Sequence, residues 1–132
     1  MRRLRTRAQF QAALSAVTVA RTAHFALHRC ALDAPAVAGA SAQPSLFQPA
    51  DVWLGAMVPK RWARRAVTRN AIRRQIYALA DGAPLPQAAH VVRLRAGFDR
   101  SRFASASSDA LKRAVRAELE QLFARAARAG AS

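Results

Sequence analysis

The segment from Pro59 to Ala80, PKRWARRAVTRNAIRRQIYALA, limits what this chain can fold into more than any other. On a helix at about 100° per residue, Ile72, Ile76 and Leu79 fall within about 60° of one another and make a narrow apolar stripe. Arg69, Arg73, Tyr77, Asn70 and Arg74 occupy the other side, over an arc of about 140°. A helix of this kind, predicted over 67–80, must lay one side on a sheet and keep its cations outward. The flanking segments supply that sheet. DVWLGAMVP (51–59) is almost continuously apolar, as a central strand is, and Pro59 ends it. Gly55 within it predicts a bulge or a group packed close to the backbone. After the turn chemistry of DGAPLP (81–86), HVVRLR (90–95) reads as another strand, with Val92 and Leu94 on one face.

The rest of the chain extends this plan. Thr6 and Gln9 have the spacing of a capping box, and Phe10, Ala13, Leu14 and Val17 recur at i, i+3, i+4 and i+7. Together they predict a first helix from about Arg7 to Ala16. HFALHR (24–29) sets Phe25 and Leu27 against His24, Ala26 and His28, the alternation of a half-buried strand. Residues 31–50 are Ala, Pro, Ser and Gln with almost no charge, and read as a flexible loop. Ser108 or Asp109 can cap a last helix whose stripe is Leu111, Val115, Leu119, Leu122 and Ala126. Only 29 of the 132 residues are Val, Ile, Leu or Phe, enough for one small core. The expected fold is therefore a single-domain α+β sandwich over residues 1–132 in the order α-β-β-α-β-α. Its sheet is small and mainly antiparallel, with at least three strands and helices packed on it.

Charge then narrows the function. The chain carries 22 Lys and Arg against 7 Asp and Glu, a net +15 that repels itself unless a polyanion is the partner. Arg makes up 20 of those cations, and its planar fork suits phosphate. An Ala- and Arg-rich composition can also follow from a GC-rich genome, so net charge weighs more than the Arg preference. Lys60, Arg61, Arg64 and Arg65 crowd the positive end of the predicted helix dipole with no acid among them, which calls for an anion. Asn70 is a poor helix former placed amid guanidinium groups, suited to orienting them or to reading a sugar or phosphate. The plainer alternative is a solvated basic face; the regular, acid-free spacing favours polyanion binding. Arg69 and Arg73, one turn apart, are each expected to hold about one phosphate.

Other classes fit less well. The helix lacks a bulky aromatic face for a membrane surface, since Trp62 precedes it, and no run approaches a membrane span. Nothing matches a zinc finger, a basic zipper or a paired helix-turn-helix, so DNA is not the expected partner. Aromatic and His side chains beside a sheet suit single-stranded or structured RNA. Phe10, Phe25 and Trp53 are either stacking surfaces or core. Cys30 stands alone, as in a reducing cytosol. Residues 1–32 carry no acid, and Arg2-Arg3 faintly resembles a twin-Arg signal. The apolar run AALSAVTVA is short and interrupted by Ser and Thr, so a cleaved targeting peptide is not expected. His24 and His28 on one strand lie about 13 Å apart, too far for one metal, and read as strand-surface residues. The acids are scattered, so neither a metal site nor protein catalysis is expected.

KRWARRAVTRNAIRRQI resembles the signature of the bacterial ribonuclease P protein subunit. In that signature two basic residues follow a strand, and an Ala-x-x-Arg-Asn-Arg-x-(Lys/Arg)-Arg run occupies the next helix. Lys60 and Arg61 match the pair; Ala66, Arg69, Asn70, Arg73 and Arg74 match the run. LGAMVPK resembles the family's Gly-containing strand, and RTRAQFQAAL its first helix, with the Phe at Phe10. Three positions depart. Ala71 replaces the second Arg of the triplet but lies off the basic face. Tyr77 stands where a further Arg is frequent and can stack where Arg would pair. His28 stands where an aromatic residue often ends the first strand. The resemblance implies a ribosomal protein S5 domain 2-like fold and a cytoplasmic subunit that performs no chemistry itself. A catalytic RNA with Mg²⁺ would remove the 5′ leader of precursor tRNA, with no organic cofactor. Lys60, Arg61, Arg64, Arg65, Arg69, Asn70, Arg73 and Arg74 would bind RNA, and Phe10, His28 and Tyr77 would lie at the leader cleft. The alternative is another RNA-binding structural protein, such as a ribosomal one.

Overall fold

A computed structural model describes residues 1–32, 47, 50–98 and 109–130. The elements run β1 (Arg2–Arg3), α1 (Arg7–Leu14), β2 (Val17–Arg21), β3 (Phe25–Cys30), β4 (Trp53–Met57), α2 (Ala66–Asp81), β5 (Ala89–Leu94) and α3 (Asp109–Gly130). The expected order is present with two strands added, and both additions have local causes. The first helix stops at Ser15 instead of Ala16, because the β-branched Val17-Thr18-Val19 that follows is better placed in a strand. Val17, expected on the helix's apolar stripe, is exposed on β2. The second addition, β1, is two residues long and carries no readable pattern.

One sheet holds all five strands in the order β1-β4-β5-β3-β2. It is mixed: β2–β3 and β3–β5 pair antiparallel, whereas β4–β5 and β1–β4 pair parallel. Parallel pairing follows from the crossover, since α2 carries the chain from the end of β4 back to the start of β5. β5, not β4, is the central strand.

Helices cover both faces, and strand alternation divides the core accordingly. On one side α2 and α3 bury Phe25, Leu27, Leu54, Val92 and Leu94 beneath Ile72, Ile76, Val115, Leu119 and Leu122. On the other, α1 lies over Trp53, Ala89, Val91 and Cys30, with Leu4, Ala12 and Ala13. The strand 25–30 is consequently buried on both faces rather than half-buried. Phe25 and Trp53 are core, which rules out their use as stacking surfaces. The proposed flexible loop 31–50 lies mostly outside the described residues, but Phe47 within it is buried, edge-on to Trp53 at 6.0 Å between centroids.

The capping box forms as the spacing requires. Gln9 N–H donates to Thr6 Oγ1 at 3.1 Å, while Gln9 Oε1 accepts from the N–H groups of Thr6 (3.1 Å) and Arg5 (2.7 Å). This fixes α1 so that Phe10 lies against β4. A Cβ added to Gly55 would stand 2.5 Å from Phe10 Cε1 and 2.9 Å from Leu4 Cδ1. Close approach, not a bulge, is therefore the reason for glycine there; the irregularity falls in β2, between Thr18 and Ala20.

Candidate nucleic-acid interface

The approach to α2 is a built turn. Trp62 and Ala63 both donate their N–H to Pro59 O, at 3.1 and 3.2 Å, and Ala63 is buried. Lys60, Arg61, Arg64 and Arg65 are left exposed around it. Arg65 is the N-cap of α2 yet contributes no capping side chain, and the first turn holds no acid. Four cations thus precede the positive end of a 16-residue helix. Trp62 remains 37% exposed with the Arg61 guanidinium 5.2 Å from its ring centroid.

Along α2, Asn70, Arg73 and Arg74 are exposed, while Arg69 is half-buried and differently employed. Arg69 lies at the edge of the cationic arc nearest Ile76. Its Nη1 donates to Ala63 O (3.1 Å) and Arg64 O (2.7 Å), so it ties the approach turn to the helix. Arg73 Nη1 donates to Asn70 Oδ1 at 3.4 Å. Asn70 therefore orients a guanidinium, one of the two roles its chemistry suggested, and its NH₂ group stays on the exposed face. Leu79, expected to face the sheet with Ile72 and Ile76, is only half-buried; Ala80 completes the buried stripe instead.

The three leader-cleft candidates do not meet. Gly55, Val91, His28 and Thr18 stand side by side across β4, β5, β3 and β2. Phe10 covers the Gly55 end of that row, so Phe10 and His28 share the α1 face about 10 Å apart, two strand spacings. Tyr77 is on the opposite face. It packs against the core beneath α2, and its hydroxyl accepts a 3.3 Å hydrogen bond from Ala56 N–H. The helical wheel is right to set Tyr77 beside Asn70, Arg73 and Arg74, with which it lines a groove; what nothing local reveals is that β1 stops short and leaves this N–H of β4 to the Tyr77 hydroxyl.

His28 is buried, not a surface residue. Its Nε2 accepts from Arg93 Nε at 3.3 Å, so the ring proton sits on Nδ1, 3.2 Å from Thr18 Oγ1. Burial, then the charges of Arg93 and Arg21, hold its pKa below 6.5. The next row along the same face is Met57, Arg93, Ala26 and Arg21, which adds two cations to that face. Neither Arg was singled out from the sequence; alternation along 90–95 already sets Arg93 opposite Val92 and Leu94, whereas Arg21 needed β2 to be recognised. His24 is also engaged: its Nδ1 lies 2.7 Å from Glu118 Oε1, and its ring stacks on Phe98.

Cys30 is buried, which pushes its thiol pKa up and leaves it an inert packing group. Among the described residues, no three His, Cys, Asp or Glu gather where they could hold a metal ion. Among them too, no helix is long and apolar enough to cross a membrane.

Fold and surface define a class: a small α+β protein that uses a five-stranded sheet to present one cationic helix whose single acid is its last residue, Asp81. The comparisons with known proteins are specific. The family model for ribonuclease P matches residues 1–127. Ribonuclease P protein components of Bordetella parapertussis and Bordetella bronchiseptica are each 38% identical over 128 residues, spanning 96% of this chain and 92% of theirs. The Bordetella avium protein is 35% identical over the same length. The solved RNase P protein of Staphylococcus aureus shares the fold, with a TM-score of 0.63 at 17% identity over 94% of both chains. This chain belongs to the ribonuclease P protein family.

Proposed function

We propose that this chain binds the catalytic RNA of ribonuclease P and the 5′ leader of precursor tRNA, and thereby assists Mg²⁺-dependent removal of the leader. The observation that carries the reading is the α2 face with its approach turn. Lys60, Arg61, Arg64, Arg65, Asn70, Arg73 and Arg74 are exposed there, and no carboxylate pairs with these cations among the described residues. A solvated face would dilute such repulsion with acids; an RNA backbone neutralises it and releases counterions. Arg69 contributes by holding the turn in shape. The leader is assigned to the opposite face of the sheet, where Phe10, Met57, Arg93 and Arg21 combine apolar floor and positive charge. The chemistry belongs to the RNA. Among the described residues the carboxylates do not gather at a cation site, and the reading assigns Mg²⁺ to the RNA subunit. No organic cofactor, DNA or membrane enters the reading, and the cytoplasm is its place. Another RNA-binding structural protein, such as a ribosomal one, is not favoured, because the family match spans nearly the whole chain.

Reconstitution tests the proposal. The chain is added to a bacterial ribonuclease P RNA at low Mg²⁺, and precursor-tRNA cleavage is followed with long and shortened leaders. Faster cleavage, and tighter substrate binding with the long leader, are expected. No stimulation would refute the function; stimulation indifferent to leader length would refute the leader assignment.

A further inference from the structure

The cationic surface does not end on α2. β1 pairs in parallel with β4, Arg2 level with Trp53 and Arg3 with Leu54, and alternation sends the two Arg side chains to opposite faces. Arg2 turns toward Asp51, its Nε 3.6 Å from Oδ2. Arg3 enters the α2 side, where its guanidinium lies 4.0 Å from the centroid of the Tyr77 ring. The hydrogen bond from Ala56 N–H holds that ring in place. Arg3, Tyr77, Asn70, Arg73 and Arg74 then line one groove of about 620 Å³, with Asp81 at its far end.

We propose that this groove is a phosphodiester-binding subsite for the catalytic RNA, and that Arg3 is delivered to it from β1 by stacking on Tyr77. The inference rests on the α2 reading above. Stacking occupies the flat face of a guanidinium and leaves its in-plane N–H groups as donors, the edge that engages phosphate oxygens in pairs. Arg73, oriented by Asn70 at 3.4 Å, is a second such donor lining the groove. Among the described residues no carboxylate forms an ion pair with Arg3, Arg73 or Arg74, so three guanidinium groups share the groove with one unpaired carboxylate, Asp81, in its lining. Asp81 and the negative end of the α2 dipole repel an anion from the far end, which favours the Asn70 and Arg73 end for the phosphate. Catalytic RNA is the assigned source because the groove continues the α2 face, on the side of the sheet away from Phe10 and His28.

The test measures the Kd of the full chain for a bacterial ribonuclease P RNA transcript across a salt series, with Arg73→Ala as reference. Arg3→Ala is expected to weaken binding on the order of ten-fold and to lower the salt slope by about one contact. Tyr77→Phe keeps the stacking face but loses the hydrogen bond from Ala56 N–H, so it should weaken binding less than Arg3→Ala does. Tyr77→Leu should match Arg3→Ala, and the double variant should be no weaker than either, since both remove one arrangement. If Arg73→Ala weakens binding while Arg3→Ala leaves Kd and slope unchanged, the groove is not a site, although the α2 reading stands. If neither variant changes anything, both readings fall. Additive losses would overturn the stacking role of Tyr77. Within the holoenzyme, Arg3→Ala should leave the dependence on leader length intact; loss of that dependence with an unchanged Kd for catalytic RNA would overturn the choice of source.

Discussion

His90 gives this fold a calculable sensitivity to acid. It lies on β5, fully buried, with Nε2 3.0 Å from Pro86 O and Nδ1 accepting from Arg29 Nε at 3.3 Å. Both nitrogens are therefore satisfied by the neutral ring, with its proton on Nε2. Protonating Nδ1 would remove the acceptor and set imidazolium against guanidinium in a buried site. Burial dominates and pushes the pKa down from 6.5 to about 4; the Pro86 carbonyl opposes this, and Arg29 adds to it. Because the folded pKa lies below the unfolded one, the unfolded chain binds the extra proton first as pH falls. His90 has no effect on stability above pH 6.5, destabilises progressively between 6.5 and about 4, and adds nothing further below that. The full effect is about 3 kcal/mol, and roughly 2.5 kcal/mol of it is reached by pH ~4.5. The assay is equilibrium urea unfolding of the native chain and His90→Gln at several pH values, so that acids titrating alike in both cancel in the difference. Gln can still donate to Pro86 O but does not titrate. His90→Gln should be the less stable protein at neutral pH, and its deficit should shrink by about 2–3 kcal/mol at pH ~4.5. Two stability curves that run parallel from pH ~7 to ~4.5 would show that His90 is not held neutral.

Three further outcomes are expected. Leu119→Ala, at a fully buried position under the sheet, should lower unfolding free energy by about 2–5 kcal/mol while the folded fraction binds RNA with unchanged affinity. Gly55→Ala should destabilise by about 1–2 kcal/mol in the same unfolding assay, since the new methyl meets the Phe10 ring and overpacking outweighs the entropy that glycine gives up. Arg69→Ala should weaken RNA binding yet change the salt slope less than Arg73→Ala does, because it releases Ala63 O and Arg64 O rather than a phosphate; faster amide exchange over 60–65 would accompany it.

Sequence alone determined the elements whose cause is local. A capping box needs only Thr6 and Gln9, and the α2 stripe needs only Ile72 and Ile76 one turn apart. The +15 charge and its acid-free concentration from Pro59 to Ala80 are likewise written in order along the chain. Gly55 announced a close neighbour without naming Phe10. Tertiary structure decided whatever depends on residues far apart. β1 is two residues long, so only its pairing with β4 makes it a strand. His28 looks like a surface residue until helices close both faces of the sheet and Arg93 arrives to occupy its lone pair. Arg69 and Tyr77 share a cationic arc on the helical wheel, yet one serves the turn behind it and the other fills a gap in β4. A wheel records angle but not what stands opposite, and at these positions the opposite partner decides the role.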